Sequence, residues 1–257
     1  MMARPVPNTR NHNESDTPDS WTRVRLVEPS TSGFVHVGAG SGSWRLPLVL
    51  PSGRRRTIVA LMREAATILR HDPRVLRADV FHAILRPPGR SDGAGPDTPD
   101  ADFDAVLLVE TTTVADASEL RGGAVIAGLL TDLQSTAAST LVFAGSNPRR
   151  IGTVDHDRQG VLLFNYFSAE DVTSNLFAWQ YTAGWFQDQT GLDNSTVLQP
   201  VEPGAVPYTL VNHCRWDRLR DIVPALVFKR SFRAFVLRVL SENQVDPRPI
   251  LYRLDRG

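Results

Sequence analysis

The chain has 257 residues, 28 of them basic and 28 acidic, so it carries no net charge near neutrality. Apolar residues make up 42% and glycines number 18, enough for a packed core, which excludes disorder throughout. Charge balance argues against a nucleic-acid partner, and one cysteine, Cys214, excludes a disulfide scaffold or a multi-cysteine metal site.

The opening MMARPVPNTRNHNESDTPDS is polar, with Pro5, Pro7 and Pro18. It reads as a disordered tail over residues 1–20, without the apolar core of a signal peptide. No later run approaches the roughly 20 apolar residues of a membrane span, so a cytoplasmic protein without a membrane partner is expected. The first strand is the doubtful element. Trp44–Leu50 fits by position, but Pro47 suits a central strand badly, and Phe34–Val37 is the alternative.

Ile58–Arg70 is predicted helical, with Ile58, Leu61, Ala65 and Ile68 on one face. Val75–Leu85 contains a strand, Pro87–Asp102 is a loop rich in glycine, proline and aspartate, and Phe103–Thr111 is a second strand. Ala117–Gln134 reads as a helix weakened by Gly122, Gly123 and Gly128. Thr140–Ala144 closes this unit, and Gly145–Gly160 has the composition of a connector.

The second half reads more cleanly. Val161–Phe167 is a strand, and Ser168 with Asp171 signals a helix start. Val172, Leu176, Trp179, Ala183 and Phe186 mark its buried face, and Gly191 its end. Strands follow over Thr196–Val201 and Tyr208–Trp216, then a helix over Asp217–Asn243 with Pro224 in the first turn of its main part, then a strand at Pro249–Leu254.

Both halves thus follow the β-α-β-β-α-β order of ferredoxin-like units. FDAVLLVETT from Phe103 aligns without gaps on YTLVNHCRWD from Tyr208. The fold class expected is α+β, with two tandem ferredoxin-like repeats at 33–148 and 161–257 joined by a connector at 149–160. Strand residues such as Ala105–Val109 and Val161–Phe164 are apolar on both faces. An open sheet with one wet face would alternate; these sheets should instead face each other and close a barrel within one chain.

A tandem pair of this kind resembles the dimeric α/β-barrel superfamily, whose members enclose a small-molecule pocket. LVNHCRWD, Leu210–Asp217, is similar to the V-N-x-x-x-W-[ED] stretch of the antibiotic-biosynthesis monooxygenases, cofactor-free oxygenases of polyketide anthrones. The resemblance implies that Asn212 and Trp216 bind and activate an aromatic substrate for attack by molecular oxygen, with no cofactor and no metal. The aligned positions in the first half are Leu107 and Thr111, so one pocket per chain is implied. Haem-degrading members carry an asparagine on the first strand, which Asn165 imitates, but also a histidine on the second helix. Residues 217–243 contain none, which argues against haem.

Alternation places Asn212 and Trp216 on one face of their strand, roughly 13 Å apart. An Asn212 N–H would stabilise a developing oxyanion, and the Trp216 indole would stack on the substrate or donate its N–H. Asn165 and Tyr252 are further substrate-binding candidates, though a hydrogen-bonded place in the core explains each more readily. His213 lies on the opposite strand face and would become a general base if that face lined the pocket. Core packing explains most of the stripe of Phe177, Tyr181 and Trp185, part of which would cover the pocket or make a homo-oligomer contact.

Other signals are weaker. Gly38–Gly42 reads as a flexible loop, Asp155-His156-Asp157 as a solvated linker, and Arg54-Arg55-Arg56 as a basic run preceding a helix. Three functions stay open: a cofactor-independent oxygenase of a phenol or anthrone in secondary metabolism, a polyketide cyclase or isomerase, and a non-catalytic binding or structural barrel.

Overall fold

The computed structural model describes residues 23–42, 48–87 and 100–257. The N-terminal tail, most of Trp44–Leu50 and most of Pro87–Asp102 lie outside the described residues.

The first strand is β1, Gly33–Gly40, which contains the alternative Phe34–Val37. The glycines taken for a flexible loop therefore include strand residues. Gly40 is required there by close approach, since a Cβ on it would meet the Asp102 carbonyl oxygen at 1.5 Å. Helix α1, Gly53–Leu69, starts on the Ser52 cap, so the arginine run forms its first turn rather than preceding it. Arg55 turns inward, 3.1 Å from buried Asp104.

Strand β2 spans Val75–Leu85 and β3 Ala105–Thr111. The next helix splits at Gly122-Gly123 into α2, Val114–Arg121, and α3, Ala124–Leu133. Thr113 and Asp116 form a capping box at its start. Strand β4, Ser139–Ser146, is followed by β5, Arg150–Gly152, within the expected connector.

Strand β6, Val161–Ser168, leads to α4, Val172–Thr190. Asp171 caps α4, and Gly191, at φ 69°, ends it in the left-handed region. Strands β7, Ser195–Pro200, and β8, Leu210–Trp216, follow. The single helix expected over 217–243 is broken. Helix α5, Leu219–Phe228, holds Pro224 in its interior, not its first turn. Lys229 is extended, and a π-helical segment, Phe232–Leu237, runs into α6, Arg238–Glu242. Strand β9 is Asp246–Leu254.

The strands lie in the order β4-β1-β3-β2-β9-β6-β8-β7-β5, and β4 also pairs with β7. That pairing, Gly145 to Pro200 and Ser146 to Gln199, closes eight antiparallel strands into a barrel. The order β4-β1-β3-β2 of the first half equals β9-β6-β8-β7 in the second, position for position. Closure explains why both faces of β3, β6 and β8 are apolar. One face of each strand fills the barrel, with Phe81, Phe103, Phe164, Tyr166 and Tyr252 in one cluster. The other face packs under helices: α1, α2 and α3 on the first half, α4, α5 and α6 on the second.

Candidate functional site

The second half keeps a cavity between its sheet and its helices. It opens to solvent, and Asn165, Asn212 and Trp216 line it. Its floor comes from alternate residues of three strands: Leu163, Asn165 and Phe167 of β6, Asn212, Cys214 and Trp216 of β8, and Pro247, Pro249 and Leu251 of β9. Its roof is Trp179, Ala183 and Phe186 of α4, with Phe232 and Val236 of the π-helical segment. Extra-wide π turns recur at functional sites because they re-aim side chains. Among the described lining residues none is charged and none is histidine.

Asn212 is the most constrained polar group there. Its carboxamide oxygen accepts the Trp179 indole N–H at 3.0 Å and the Ser195 hydroxyl at 2.5 Å. Two donors occupy both lone pairs, so the NH₂ end is fixed away from them. Among the described residues its one partner is the Cys214 sulfur, 3.7 Å away, a weak acceptor. An N–H donor therefore stands ready for a ligand oxygen. Asn165 is paired with Asn212 across β6 and β8, which sets the two Cα atoms roughly 5 Å apart. Its Oδ1 is buried without a hydrogen-bond partner among the described residues. The cavity thus carries one acceptor and one donor side by side on an apolar floor.

Trp216 donates its indole N–H to Thr190 Oγ1 at 3.0 Å. That removes donation to a ligand and leaves the ring for stacking; Phe186 stands at 6.1 Å between centroids. Burial pushes the Cys214 thiol far up, so no thiolate is available as a nucleophile.

The remaining candidates stand elsewhere. Tyr252 faces the barrel interior and donates to the Phe103 carbonyl at 2.8 Å. His213 also faces inward, stacked on Phe164 at 4.1 Å between centroids; burial and neighbouring His156 hold its pKa well below the usual range. Trp185 is fully buried and donates to Ser231 Oγ at 3.2 Å. Tyr181 accepts from Arg23 at 3.2 Å. Alternation in β8 stops short of Tyr208, which precedes the strand and packs inside the barrel rather than beside Asn212.

Trp179 and Ser195 escaped the sequence reading as site residues. Trp179 appeared as one apolar helical position among five, and Ser195 carries no local signal. In the first half the positions aligned with Asn212 and Trp216 show no such site. Leu107 packs with Ile58, Met62 and Ile126, and Thr111 bonds the Thr113 carbonyl at 2.8 Å.

No protein-family model matches the chain, and no curated protein matches its sequence. Solved structures do match. An anthrone oxidase-like protein superposes with a TM-score of 0.63 at 9% identity, over 88% of this chain and 91% of that one. The likeness is one of fold. A candidate monooxygenase from Fusobacterium nucleatum superposes with a TM-score of 0.50 at 5% identity, over 88% of this chain and 92% of that one. The chain shares with them a ferredoxin-like α/β-barrel architecture. Among the described residues no helix is long and apolar enough to cross a membrane.

Proposed function

We propose that the chain is a cofactor-independent oxygenase of a flat phenol or anthrone of the aromatic polyketide type. The observation that carries this reading is the anchoring of Asn212, whose carboxamide oxygen is held by two donors and which lines a cavity with no charged residue among its described lining. Oxygen attack needs an electron-rich substrate anion. A fixed N–H donor stabilises the charge that develops on the oxygen of a phenolate or enolate, and loss of one such donor costs roughly 3–4 kcal/mol in comparable sites. Asn165 Oδ1 would take the hydroxyl next to that oxygen, and Trp216 would stack on the ring. For an anthrone, one oxygen atom becomes the new carbonyl. The other leaves as water with the two methylene hydrogens.

Neighbours named anthrone oxidase-like and monooxygenase accord with this reading. A cyclase would need a general base, and the described lining supplies none. The same lack favours, as a second reading, a binding barrel without chemistry. Matching strand orders support two tandem repeats, 33–148 and 161–257, with the site in the second.

Oxygen uptake by metal-stripped protein with a simple anthrone tests the proposal, with Asn212→Ala and Trp216→Phe alongside. Uptake above the spontaneous rate that collapses in either variant is expected. Saturable anthrone binding without uptake would replace oxygenase by the binding barrel.

A further inference from the structure

Asp155-His156-Asp157 reads as a solvated linker in the sequence, yet His156 is buried. Its Nδ1 lies 2.8 Å from Asp79 Oδ2 on β2, and its Nε2 lies 2.8 Å from His213 Nε2 on β8. His213 Nδ1 in turn lies 3.1 Å from the Leu163 carbonyl oxygen. The three side chains separate two openings. An outer groove is lined by Asp79, His156 and the C-terminal residues. A polar pocket at the barrel mouth, on the opposite face of β8 from the Asn212 cavity, is lined by His156, His213, Thr196 and Glu110.

The hydrogen positions follow from the partners. A carbonyl only accepts, so His213 Nδ1 carries a hydrogen, and the Nε2 of this neutral ring is a bare acceptor. His156 Nε2 must then donate. Its Nδ1 faces a carboxylate, which also accepts, so this chain holds one proton more than an ionised aspartate and two neutral rings would.

We propose that Asp79, His156 and His213 form a proton-binding site that clasps residues 153–160 to the barrel, closing the mouth pocket while the proton is held and opening it when the proton leaves. Without that proton His156 has one ring hydrogen for two contacts. With it on Nε2, a lone pair faces the Asp79 carboxylate; with it on Nδ1, two imidazole lone pairs face each other. While His213 keeps its hydrogen on Nδ1 for the Leu163 carbonyl, one His156 contact must break in either case.

Charged groups surround the clasp without replacing that proton. Arg77 of β2 stands 3.7 Å from Asp79, and Arg70, just past the end of α1, stands 4.0 Å from it. Arg77 also holds Asp157 of the connector at 3.0 Å. On β1, burial keeps His36 neutral, with its pKa lowered to about 3. Glu110 and Arg150 stand in the mouth pocket. In the groove Arg63 is paired with Asp255, and Arg256 donates to the Asp157 carbonyl at 2.5 Å.

Ring ¹⁵N spectra of the full chain after chelator treatment, from about pH 6 to about pH 9, test the clasp. Near the lower limit His156 should carry hydrogens on both ring nitrogens and His213 on Nδ1 alone. As His156 loses its proton, amide protection over 153–160, corrected for intrinsic exchange, should fall by at least about tenfold while α1 keeps its protection. Asp79→Asn supplies an N–H to a neutral His156, so protection should stay flat across the same range. A single hydrogen on His156 near pH 6, two unprotonated Nε2 atoms bridged by a metal, or wild-type protection as flat as that of the variant would each overturn the proposal. Should Asp79→Asn fail to fold, the wild-type ring spectra decide alone.

Discussion

Trp179 on α4 and Asn212 on β8 are joined by one hydrogen bond of 3.0 Å, from the indole N–H to the carboxamide oxygen. Both are buried, and the bond spans the gap between helix layer and sheet. It fixes which end of the carboxamide meets the cavity. Trp179→Phe keeps most of the ring and removes the donor. About 1 kcal/mol of stability should be lost, and phenol binding should weaken several-fold as the carboxamide becomes free to flip. Ser195→Ala should do the same, and the double variant should lose less than the sum of the two. Denaturant melts with a phenol titration measure both effects.

Asn165 should show the opposite balance. Its Oδ1 is buried without a partner among the described residues, and such a group costs roughly 1–3 kcal/mol. Asn165→Val should therefore raise the melting temperature while weakening phenol binding by about tenfold. A variant that is destabilised with unchanged binding would make Asn165 a structural residue.

The pH dependence of oxygen uptake should follow the substrate. The described lining holds no charged residue, so the rate should rise with ionisation of the phenol or enol itself. Two substrates of different acidity should shift the profile by the difference between their own pKa values.

Stability should fall in acid. Burial lowers His36 to about 3 and holds His213 well below 6.5, so both rings are neutral in the native barrel and protonate readily only when unfolded. Their contribution is present above pH 6.5 and is lost as pH falls from there toward 3, by up to about 1.4 kcal/mol per pH unit for each ring. Urea midpoints over this range should show that slope, reduced in His36→Gln.

Asp104 should be costly to remove. Its side chain is 2% exposed, 3.1 Å from Arg55 at 9%, and it also accepts from Ser41. Asp104→Ala leaves a buried guanidinium without its counter-charge and should cost about 3–5 kcal/mol, read as a lower urea midpoint.

Much of this molecule is local and therefore legible. The aligned segments from Phe103 and Tyr208 contain β3 and β8 with equal offsets at both ends, because strand length and apolar run are properties of neighbouring residues. Period-two alternation likewise places Asn212 and Trp216 on one side of β8. It does not say which side meets the cavity, since every residue of β8 is buried. Only barrel closure decided that, by turning His213 inward and Asn212 toward the helices. Pro224 read as compatible with one helix over 217–243; the break at Lys229 and the π turn carry no local signal there.

The sequence by itself determined the strands β2, β3, β4, β6, β7, β8 and β9, the two buried sheet faces and a strand bearing an asparagine and a tryptophan in phase. Each of those follows from side chains a few residues apart. The tertiary structure alone decided that Trp179 and Ser195 orient Asn212, that Trp216 gives its N–H to Thr190, and that His156 meets His213. Those contacts join residues 17 to 57 positions apart in the chain. Hydrogen bonds act over about 3 Å of space, and that proximity exists only once the barrel has closed.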